Sequence, residues 1–479
     1  MSMPRKAWSR SYVVLAILAV LLIRLFQERS PAAAVPACDR PAGSIDDSFF
    51  RVPDPVSFLG AALGTAELSD GRILVGLFGT ISSGGSNPIE RSLMARLNPD
   101  GTLDPSFTFQ PGDLERVWQV HMFGVAKDGT IAAATSGVGT EGFYYGHFYI
   151  LRPDGSTVYS ATTGVDSSTL VHCLAWQADD RLLIGGNYRL FLPSLPAGLA
   201  RLHEDGSLDS SFAPPAGFSF VTGLCVQPDG RILALDNDTL YRLQPDGSLD
   251  ANFTPARFEN LNLGYSWGPH RAVPVVLQPD GKILVASSFT GVNGVPRASV
   301  VRLHADGSVD ATFNPGQGPG EAWLPDMDLV LQPDGRMIVT GYFTSFNDVH
   351  RSGVVRLRAD GAVDLAFDAG ASFNAVGSVT LLREGRSLVT VYAPGFGGNM
   401  WPYRLLGDPG IRLATPEFLG DGQGRLRINS VPGERYLLQA SANLATWQNV
   451  ATNSATDCQL TFTNRVVSQS VQFYRVRRF

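Results

Sequence analysis

Short apolar runs alternate with tight polar turns over most of the chain. The commonest arrangement is an apolar run, then Asp-Gly, then a second apolar run, as in Leu277–Val285. Seven copies follow one another, and their second turn residues stand at positions 71, 129, 180, 230, 281, 335 and 385. Apolar runs of strand length that are bounded by turn residues predict β-strands joined by hairpins.

A second pattern, Arg-Leu-x-x-Asp-Gly-x-Leu/Val-Asp-x-x-Phe, alternates with the first. Its clearest copy spans Arg302–Phe313, and the copy around Asp154-Gly155 lacks the later Asp and the Phe. A further copy is split, because residues 43–49 match its second half and residues 404–408 match its first half. Other close copies end at Phe107, Phe212, Phe253 and Phe367.

The two alternating patterns predict an all-β chain that contains a β-propeller. Each period of just over 50 residues holds four runs of strand length, which matches a four-stranded blade. Seven periods predict seven blades. The split copy predicts that a strand near the N-terminus completes the last blade and closes the ring.

Leu277–Val285 and Arg302–Phe313 resemble the delta-60 β-propeller repeats of bacteria, and the resemblance covers roughly residues 40 to 408. It implies the propeller fold and export, and it brings no established active site. The chain departs from the repeat at Asp179-Asp180, at Glu384-Gly385 and in the strand after Gly155. The first turn of the third blade and the outer strand of the second blade are therefore the weakest parts of the prediction.

The period ends at Asp408-Pro409-Gly410, and residues 411–479 follow a different pattern. Five candidate strands in this tail predict a small C-terminal β-sandwich domain after a propeller of residues 38–408. Residues 436–441 and 473–476 resemble a module at the C-termini of exported bacterial proteins. Tyr436 and Trp447 could stack on a glycan, but we favour the alternative that they fill a small core.

Residues 1–37 predict a targeting segment, either a signal peptide or a signal anchor. Arg5, Lys6 and Arg10 precede an apolar run over residues 12–23, and small residues follow at 32–37. Because this run is shorter than the roughly 20 residues of a membrane helix, cleavage is favoured over an anchor formed by residues 11–26. Lipidation of Cys38 is a minor alternative. We therefore expect export to the periplasm, the cell surface or the extracellular space.

Composition narrows the classes of partner. The chain has 51 Gly, 31 Pro and 17% charged residues, which suits short strands and turns. A net charge of −6 provides no basic surface for nucleic acid or anionic lipid. Four cysteines do not make a disulfide framework, and Cys173 and Cys225 lie in apolar runs that predict buried thiols.

The repeated aspartates predict structure rather than chemistry. Asp-Gly is typical of a two-residue type I′ turn. The later Asp of the second pattern is predicted to accept hydrogen bonds from nearby backbone amides, and the Phe that follows is predicted to be buried in a core. Asp236-Asn237-Asp238 predicts a tight turn, because it lacks the Gly and Glu that complete a calcium loop. The sequence indicates no cofactor, no metal site and no catalytic motif.

The short Asp-Gly turns should share one end of the blades, and the longer connections should share the other. The longer connections are unlike one another and rich in aromatic residues, so we expect any ligand there. The alternative is that these side chains only cover the blade ends. The candidate binding residues are Tyr144, Tyr145, Tyr265, Trp267, His270, Arg271, Glu321, Trp323 and Trp401.

Three functions fit this reading. We favour a non-catalytic binding scaffold for a protein or a glycan. A propeller enzyme, such as a polysaccharide lyase or a glycoside hydrolase, would draw on Glu321, Asp326, Arg271 and His270, but these residues form no recognisable constellation. A structural component of an extracellular assembly is the third alternative.

Overall fold

A computed structural model describes most of the chain between residues 57 and 478. Residues 1–56 lie outside the described part, and with them the predicted targeting segment, Cys38 and the predicted closing strand. Within the described part every regular element is a β-strand, and no helix there is long and apolar enough to span a membrane. The described residues are 57–82, 90–111, 119–138, 144–164, 171–187, 198–262, 272–320, 327–369, 373, 376–383, 385–392, 400–405, 417–418, 423–429, 435–441, 448–454, 459–465 and 473–478.

The chain divides into two compact units, Pro41–Asp408 and a second unit that contains Pro409–Phe479. In the described part of the larger unit, each of the seven sequence repeats forms at least three successive antiparallel strands, and repeat 2 forms four. Repeats 1 to 3 contain β1 (Ser57–Glu67), β2 (Ile73–Ser82), β3 (Glu90–Leu97), β4 (Gln119–Val125), β5 (Ile131–Val138), β6 (Tyr144–Leu151), β7 (Thr157–Gly164), β8 (Val171–Trp176), β9 (Leu182–Gly186) and β10 (Leu199–Leu202). A single pair, Phe78 opposite Gln119, joins the sheets of repeats 1 and 2.

In repeats 4 to 6 short strands accompany the main ones. Repeats 4 to 7 contain β11 (Val221–Val226), β12 (Ile232–Asp236), β13 (Thr239–Leu243), β14 (Ala256–Glu259), β15 (Val275–Leu277), β16 (Ile283–Ala286), β17 (Gly291–Val292), β18 (Val295–Pro296), β19 (Val300–Leu303), β20 (Pro319–Gly320), β21 (Asp328–Leu331), β22 (Met337–Thr340), β23 (Ser345–Phe346), β24 (Val349–His350), β25 (Val354–Leu357), β26 (Val376–Leu381), β27 (Ser387–Tyr392) and β28 (Met400–Leu405).

The turn between the first and second strands is not the predicted type I′ turn. In repeat 1, Gly71 N–H bonds Leu68 carbonyl at 3.0 Å, and Gly71 has φ of 83° while Asp70 has no positive φ. This is a type I turn followed by a left-handed glycine. Asp suits it because its carboxylate accepts the N–H of Arg72 at 3.0 Å. In repeat 3 Asp180 occupies the glycine position with φ of 61°, so the altered copy keeps the turn.

The predicted fourth strand is not formed as a regular strand in five repeats. In each of them a single residue forms a β-bridge with the third strand. In repeat 1, Leu103 is bridged to Leu97, and the chain then turns at once around Asp104, whose N–H bonds the Arg96 carbonyl at 2.8 Å. Repeat 2 is the exception, because β7 runs for eight residues beside β6. The outer strand of repeat 2, the weakest part of the prediction, is thus the longest of its kind in the described chain.

Apolar cores fill the spaces between neighbouring repeats. The cluster between repeats 1 and 2 joins Leu74 and Phe107 to Val120, and comparable clusters join each later repeat to the next. One further cluster joins Leu382 and Leu388 of repeat 7 to residues of repeat 1. The first strands of the repeats also lie side by side in the order β1, β4, β8, β11, β15, β21 and β26, and β26 lies beside β1.

Polar contacts accompany the packing of repeat 7 on repeat 1. The hydroxyls of Thr65 and Thr380 lie 2.8 Å apart, and the Thr380 hydroxyl donates to the Thr65 carbonyl at 2.7 Å. Arg383 N–H donates to the Glu67 carboxylate at 2.7 Å. The first and last repeats of the sequence are therefore spatial neighbours.

The described residues of the C-terminal unit form two three-stranded sheets. Its strands are β29 (Glu417–Phe418), β30 (Gln423–Asn429), β31 (Arg435–Ser441), β32 (Gln448–Ser454), β33 (Gln459–Arg465) and β34 (Phe473–Arg478). Tyr436 and Leu438 from one sheet share a buried cluster with Leu460 and Phe462 from the other. Tyr436 is 1% exposed, so it fills the core as favoured, while Trp447 lies outside the described residues.

Candidate functional site

Each whole copy of the second pattern forms a buried ion pair between its Arg and its later Asp. In repeat 5, Arg302 Nε donates to Asp310 Oδ2 at 2.8 Å, and the guanidinium lies over the Phe313 ring at 4.9 Å. We call this group of Arg, Asp and Phe the clasp. The other clasps are Arg96–Asp104–Phe107, Arg201–Asp209–Phe212, Arg242–Asp250–Phe253 and Arg356–Asp364–Phe367.

Because of its partners in the clasp, the carboxylate of the later Asp has little remaining capacity to bind a substrate or a metal ion. Asp310 Oδ1 accepts the Thr312 N–H at 2.9 Å, as predicted, and Lys282 Nζ lies 3.2 Å from Oδ2 as a second cation. Burial raises the pKa of Asp209, but bonds from Ser211 and Arg201 outweigh burial and lower it to about 2. These carboxylates are therefore ionised structural anchors.

Sequence reasoning found the backbone bonds and the buried Phe but missed the partner of the carboxylate. The signal was available, because an Arg stands eight residues before the Asp in every whole copy. In repeat 2 all three residues are replaced together, by Ile150, Val158 and Ala161. Joint loss of this kind indicates residues that act on one another.

The clasp arginines also tie neighbouring repeats together. Arg96 Nη1 of repeat 1 donates to the Pro153 carbonyl of repeat 2, immediately before the second Asp-Gly turn, at 2.5 Å. Thr108 N–H, just after the clasp Phe, bonds the carbonyl of turn residue Asp154 at 2.9 Å. Arg404 of repeat 7 makes the equivalent bond to Pro99 of repeat 1 at 3.0 Å. At the Asp-Gly end, the clasp side chains and the carbonyls of the second turns are thus engaged within the protein.

Both kinds of Asp-Gly turn occupy this end. A Cβ added to Gly230 in the first turn of repeat 4 would lie 3.4 Å from Pro245, which precedes the second turn of the same repeat. Gly71 and Pro99 approach in the same way in repeat 1. The surface at this end is therefore built from nearly the same parts in each repeat.

At the opposite end, four first strands carry a bulge with a buried polar residue. The register shifts at His121 in β4, at His172 in β8, at Thr222 in β11 and at Ser378 in β26. His121 Nε2 lies 3.0 Å from the Val171 carbonyl of the next repeat, and burial lowers its pKa to about 4. Bulges of this kind redirect side chains and disturb the regular ladder.

A polar cluster lies beside the bulges of repeats 3 and 4. His172 Nε2 lies 3.3 Å from Asn187 Oδ1, and its ring makes an edge contact with Phe220. The buried Asp236 carboxylate accepts the N–H groups of Ser219 and Phe220. Asp236 ends β12 and Asn237 turns the chain with φ of 52°, so the predicted tight turn is confirmed.

The connections between the second and third main strands of repeats 5 and 6 contain small hairpins of one design, so these two connections resemble each other. β17 and β18 flank Asn293, whose side chain accepts from Arg257 N–H and donates to the Pro255 carbonyl. β23 and β24 flank Asn347, which bonds Gly318 N–H and the Pro315 carbonyl in the same way. The signal was the shared pattern Phe-Thr-x-x-Asn-x-Val-x-Arg from residues 289 and 343.

The predicted binding residues are only partly within the described chain. Tyr144 and Tyr145 begin β6, opposite Val138 and Gly137, and Trp401 is the second residue of β28. Convergence of the predicted residues on one surface therefore stays a prediction. Tyr265, Trp267, His270, Arg271, Glu321 and Trp323, together with Asp326, lie outside the described residues.

No group of three or more His, Cys, Asp or Glu side chains in the described ranges is placed to hold a metal ion. Cys173 is buried and Cys225 is half-buried, and both are free. Burial raises the pKa of both thiols, which makes them poor nucleophiles.

Five segments match the model of a domain of unknown function described as a β-propeller, DUF5122. The matched residues are 68–107, 177–212, 227–253, 278–313 and 332–367. Each segment begins at or near a first turn and ends at a clasp Phe. The chain therefore carries β-propeller repeats, and the matched segments are those of the five repeats with a whole clasp. No curated protein matches the chain.

The fold resembles several solved structures at low identity. A puromycin hydrolase mutant shares 14% identity with a TM-score of 0.38, covering 81% of this chain and 61% of its own. The soluble aldose sugar dehydrogenase of Escherichia coli shares 12% with a TM-score of 0.34, covering 74% and 99%. A protein from Bacteroides fragilis described as exported shares 11% with a TM-score of 0.31, covering 62% and 86%. At these values the likenesses carry no inference about activity.

Proposed function

We propose that the protein is an exported binding scaffold, a closed seven-bladed propeller with repeats of the delta-60 kind, that takes a protein or a glycan as its ligand. The ring is supported by the neighbouring first strands, which return from β26 to β1. It is also supported by Arg404, which bonds Pro99 as the clasp arginines bond the next repeat. A strand from residues 43–49 would complete the last blade.

The observation that carries the binding role is the contrast between the two ends of the repeats. At the Asp-Gly end the clasps engage the later carboxylates and the bonds between repeats engage the turn carbonyls, as at Asp310 and Pro153. At the other end the described connections range from the two-residue turn after Asp236 to hairpins β17–β18 and β23–β24. Varied loops on a rigid scaffold are where binding residues concentrate.

Polar side chains in the described connections suit such a role. Arg257 is 73% exposed and pairs with Asp238 at 3.1 Å, and Asn237 and His350 are also exposed. These groups donate and accept hydrogen bonds of the kind that peptides and sugars offer. No contact in the described residues favours the alternatives of an enzyme or a structural component.

The domain assignment belongs to the same proposal. Residues 1–37 would direct export as a cleaved signal or an uncleaved anchor, residues 38–408 would form the propeller, and residues 411–479 would form a small sandwich. Export would place the scaffold in the periplasm, at the cell surface or outside the cell.

Replacing both Trp267 and Trp323 with Ala tests the proposal. A ligand is first identified with a glycan array and a protein pull-down. The double variant should then bind it more weakly by about 1 to 4 kcal/mol if either Trp is a hot spot, measured by titration calorimetry. Far-UV circular dichroism and urea unfolding must first show that the variant is folded.

Ser248→Ala and Ser308→Ala are the matched controls at the Asp-Gly end, and they should bind like the parent. If the folded Trp variant binds normally while the serine variants lose binding, the ligand lies at the Asp-Gly end. Hydrolysis or elimination of an array glycan by the parent chain would favour the enzyme instead.

A further inference from the structure

The outer strand of repeat 2 differs from its counterparts because the clasp is missing. Ile150, Val158 and Ala161 stand where the whole copies have Arg, Asp and Phe. Without a carboxylate to draw the chain toward the third strand, β7 continues beside β6 from Thr157, opposite Leu151, to Gly164, opposite Gly146. Five other repeats have one bridged residue in this place.

The outer edge of β7 lacks the charged residues and Pro that commonly protect an edge strand, and its pairing with β6 shifts register only at Val158 and Thr163. β7 ends the strand order of its sheet, and no strand in the described part of the chain pairs with its other side. Its sequence, Thr-Val-Tyr-Ser-Ala-Thr-Thr-Gly, has no charge and no Pro. Edge strands normally carry such residues to prevent pairing, as Pro296 does in β18. Val158 is 44% exposed.

β7 is also held in place by the next repeat. A Cβ added to Gly206 of repeat 3 would lie 2.4 Å from the Tyr159 ring, so the ring packs directly on that turn. In repeats with a clasp, the Phe takes this role, as Phe253 does against Gly307. A strand fixed before association loses little conformational entropy when it pairs.

We propose that β7 pairs with β7 of a second copy of this chain, antiparallel about a two-fold axis that passes between Ser160 and its own copy. Tyr159 would then lie opposite Ala161, and Val158 opposite Thr162. In a two-fold pair each strand meets its own sequence, so any charge would lie near its copy, and β7 contains none. Thr, Val and Tyr are residues that favour cross-strand pairing.

The size of the edge sets the expected affinity. Eight residues per strand bury less surface than the roughly 800 Å² per partner of a standard stable interface, so the dimer should be weak. Sedimentation velocity of the purified full-length chain from about 1 to 200 μM should show a monomer that becomes a dimer. Hydrogen exchange of residues 157–164 should slow over the same range.

Charge substitutions at Ser160 distinguish edge pairing from other contacts. Ser160 is exposed, and Ser160→Lys and Ser160→Asp should each raise the dissociation constant at least about 10-fold, because two like charges meet across the axis. An equimolar mixture of the two variants should recover the dimer, which a misfolded variant would not do. Leu249→Lys, a charge at the 51% exposed bridged residue of repeat 4, is the control and should dimerise normally.

A chain that stays monomeric throughout the concentration range would overturn the proposal. So would a dimer that persists in Ser160→Lys, or a mixture of the two charged variants that fails to associate.

Discussion

Asp364→Val should destabilise the larger unit far more than the loss of an exposed ion pair. Asp364 and Arg356 have side chains 1% and 0% exposed. The carboxylate accepts from Arg356 Nε at 2.7 Å, Arg336 Nη1 at 3.2 Å and Ala366 N–H at 3.0 Å. Leaving a buried charge without its partner costs about 3–5 kcal/mol, and loss of the backbone bond adds about 1 kcal/mol.

Asp238→Ala provides the matched control, because it also removes the aspartate of an Asp–Arg ion pair. Asp238 and Arg257 lie 3.1 Å apart, but their side chains are 42% and 73% exposed. Solvent screens such a pair, so its loss should cost about 1 kcal/mol or less.

The double variant Arg356→Ile/Asp364→Val separates the clasp from burial of an unpaired charge. It introduces the pair that repeat 2 already has in Ile150 and Val158. Since no charge is then left buried, the double variant should be more stable than Asp364→Val alone. Its remaining loss should include about 0.5–2 kcal/mol from the missing Arg356 contact with the Phe367 ring, which is 4.9 Å away.

Urea unfolding, followed by circular dichroism and Trp fluorescence, measures these differences in unfolding free energy. An unchanged m-value shows that each variant exposes the same amount of surface on unfolding as the parent. The reasoning fails if Asp364→Val costs no more than Asp238→Ala. It also fails if the double variant is less stable than the single one.

Two further predictions concern the first strands and the ring. Burial lowers the pKa of His121 to about 4, whereas an unfolded His titrates near 6.5. The stability that neutral His121 contributes above pH 6.5 should therefore fall as the pH drops toward 4, and His121→Gln should flatten that part of the curve of unfolding free energy against pH. Deletion of residues 40–50 should lower the melting temperature in calorimetry well beyond the effect of trimming a loose end, because the proposed ring would lose its closing strand; a deletion variant that melts like the parent would argue against that strand.

The sequence predicted the repeats because their spacing and turn residues are local signals. The Asp-Gly turns were found, but their type was wrong, since the choice between turn types depends on where Asp sits relative to the bonded carbonyl. At Leu68 that carbonyl is two residues before Asp70, which places only Gly71 in the left-handed region.

The clasp and the hairpins were harder to predict because their partners are separated along the chain. Arg96 meets Asp104 across a turn and Pro153 in another repeat, and neither contact changes the apolar pattern on which the strand prediction relied. Asn293 likewise acts on Pro255, in the preceding repeat. Such contacts are visible in sequence only when repeats are compared position by position.

The clasp also explains where along the chain the repeats differ from one another. It couples an Arg, an Asp, a Phe and a carbonyl of the next repeat, so replacing one member alone leaves a buried charge unpaired. Repeat 2 changed all three side chains, and its outer strand became a long edge. The connections at the other end have no part in the clasp, so they can change in length and composition without that cost. Specific recognition is therefore expected where the clasp is absent, at the connections and at β7.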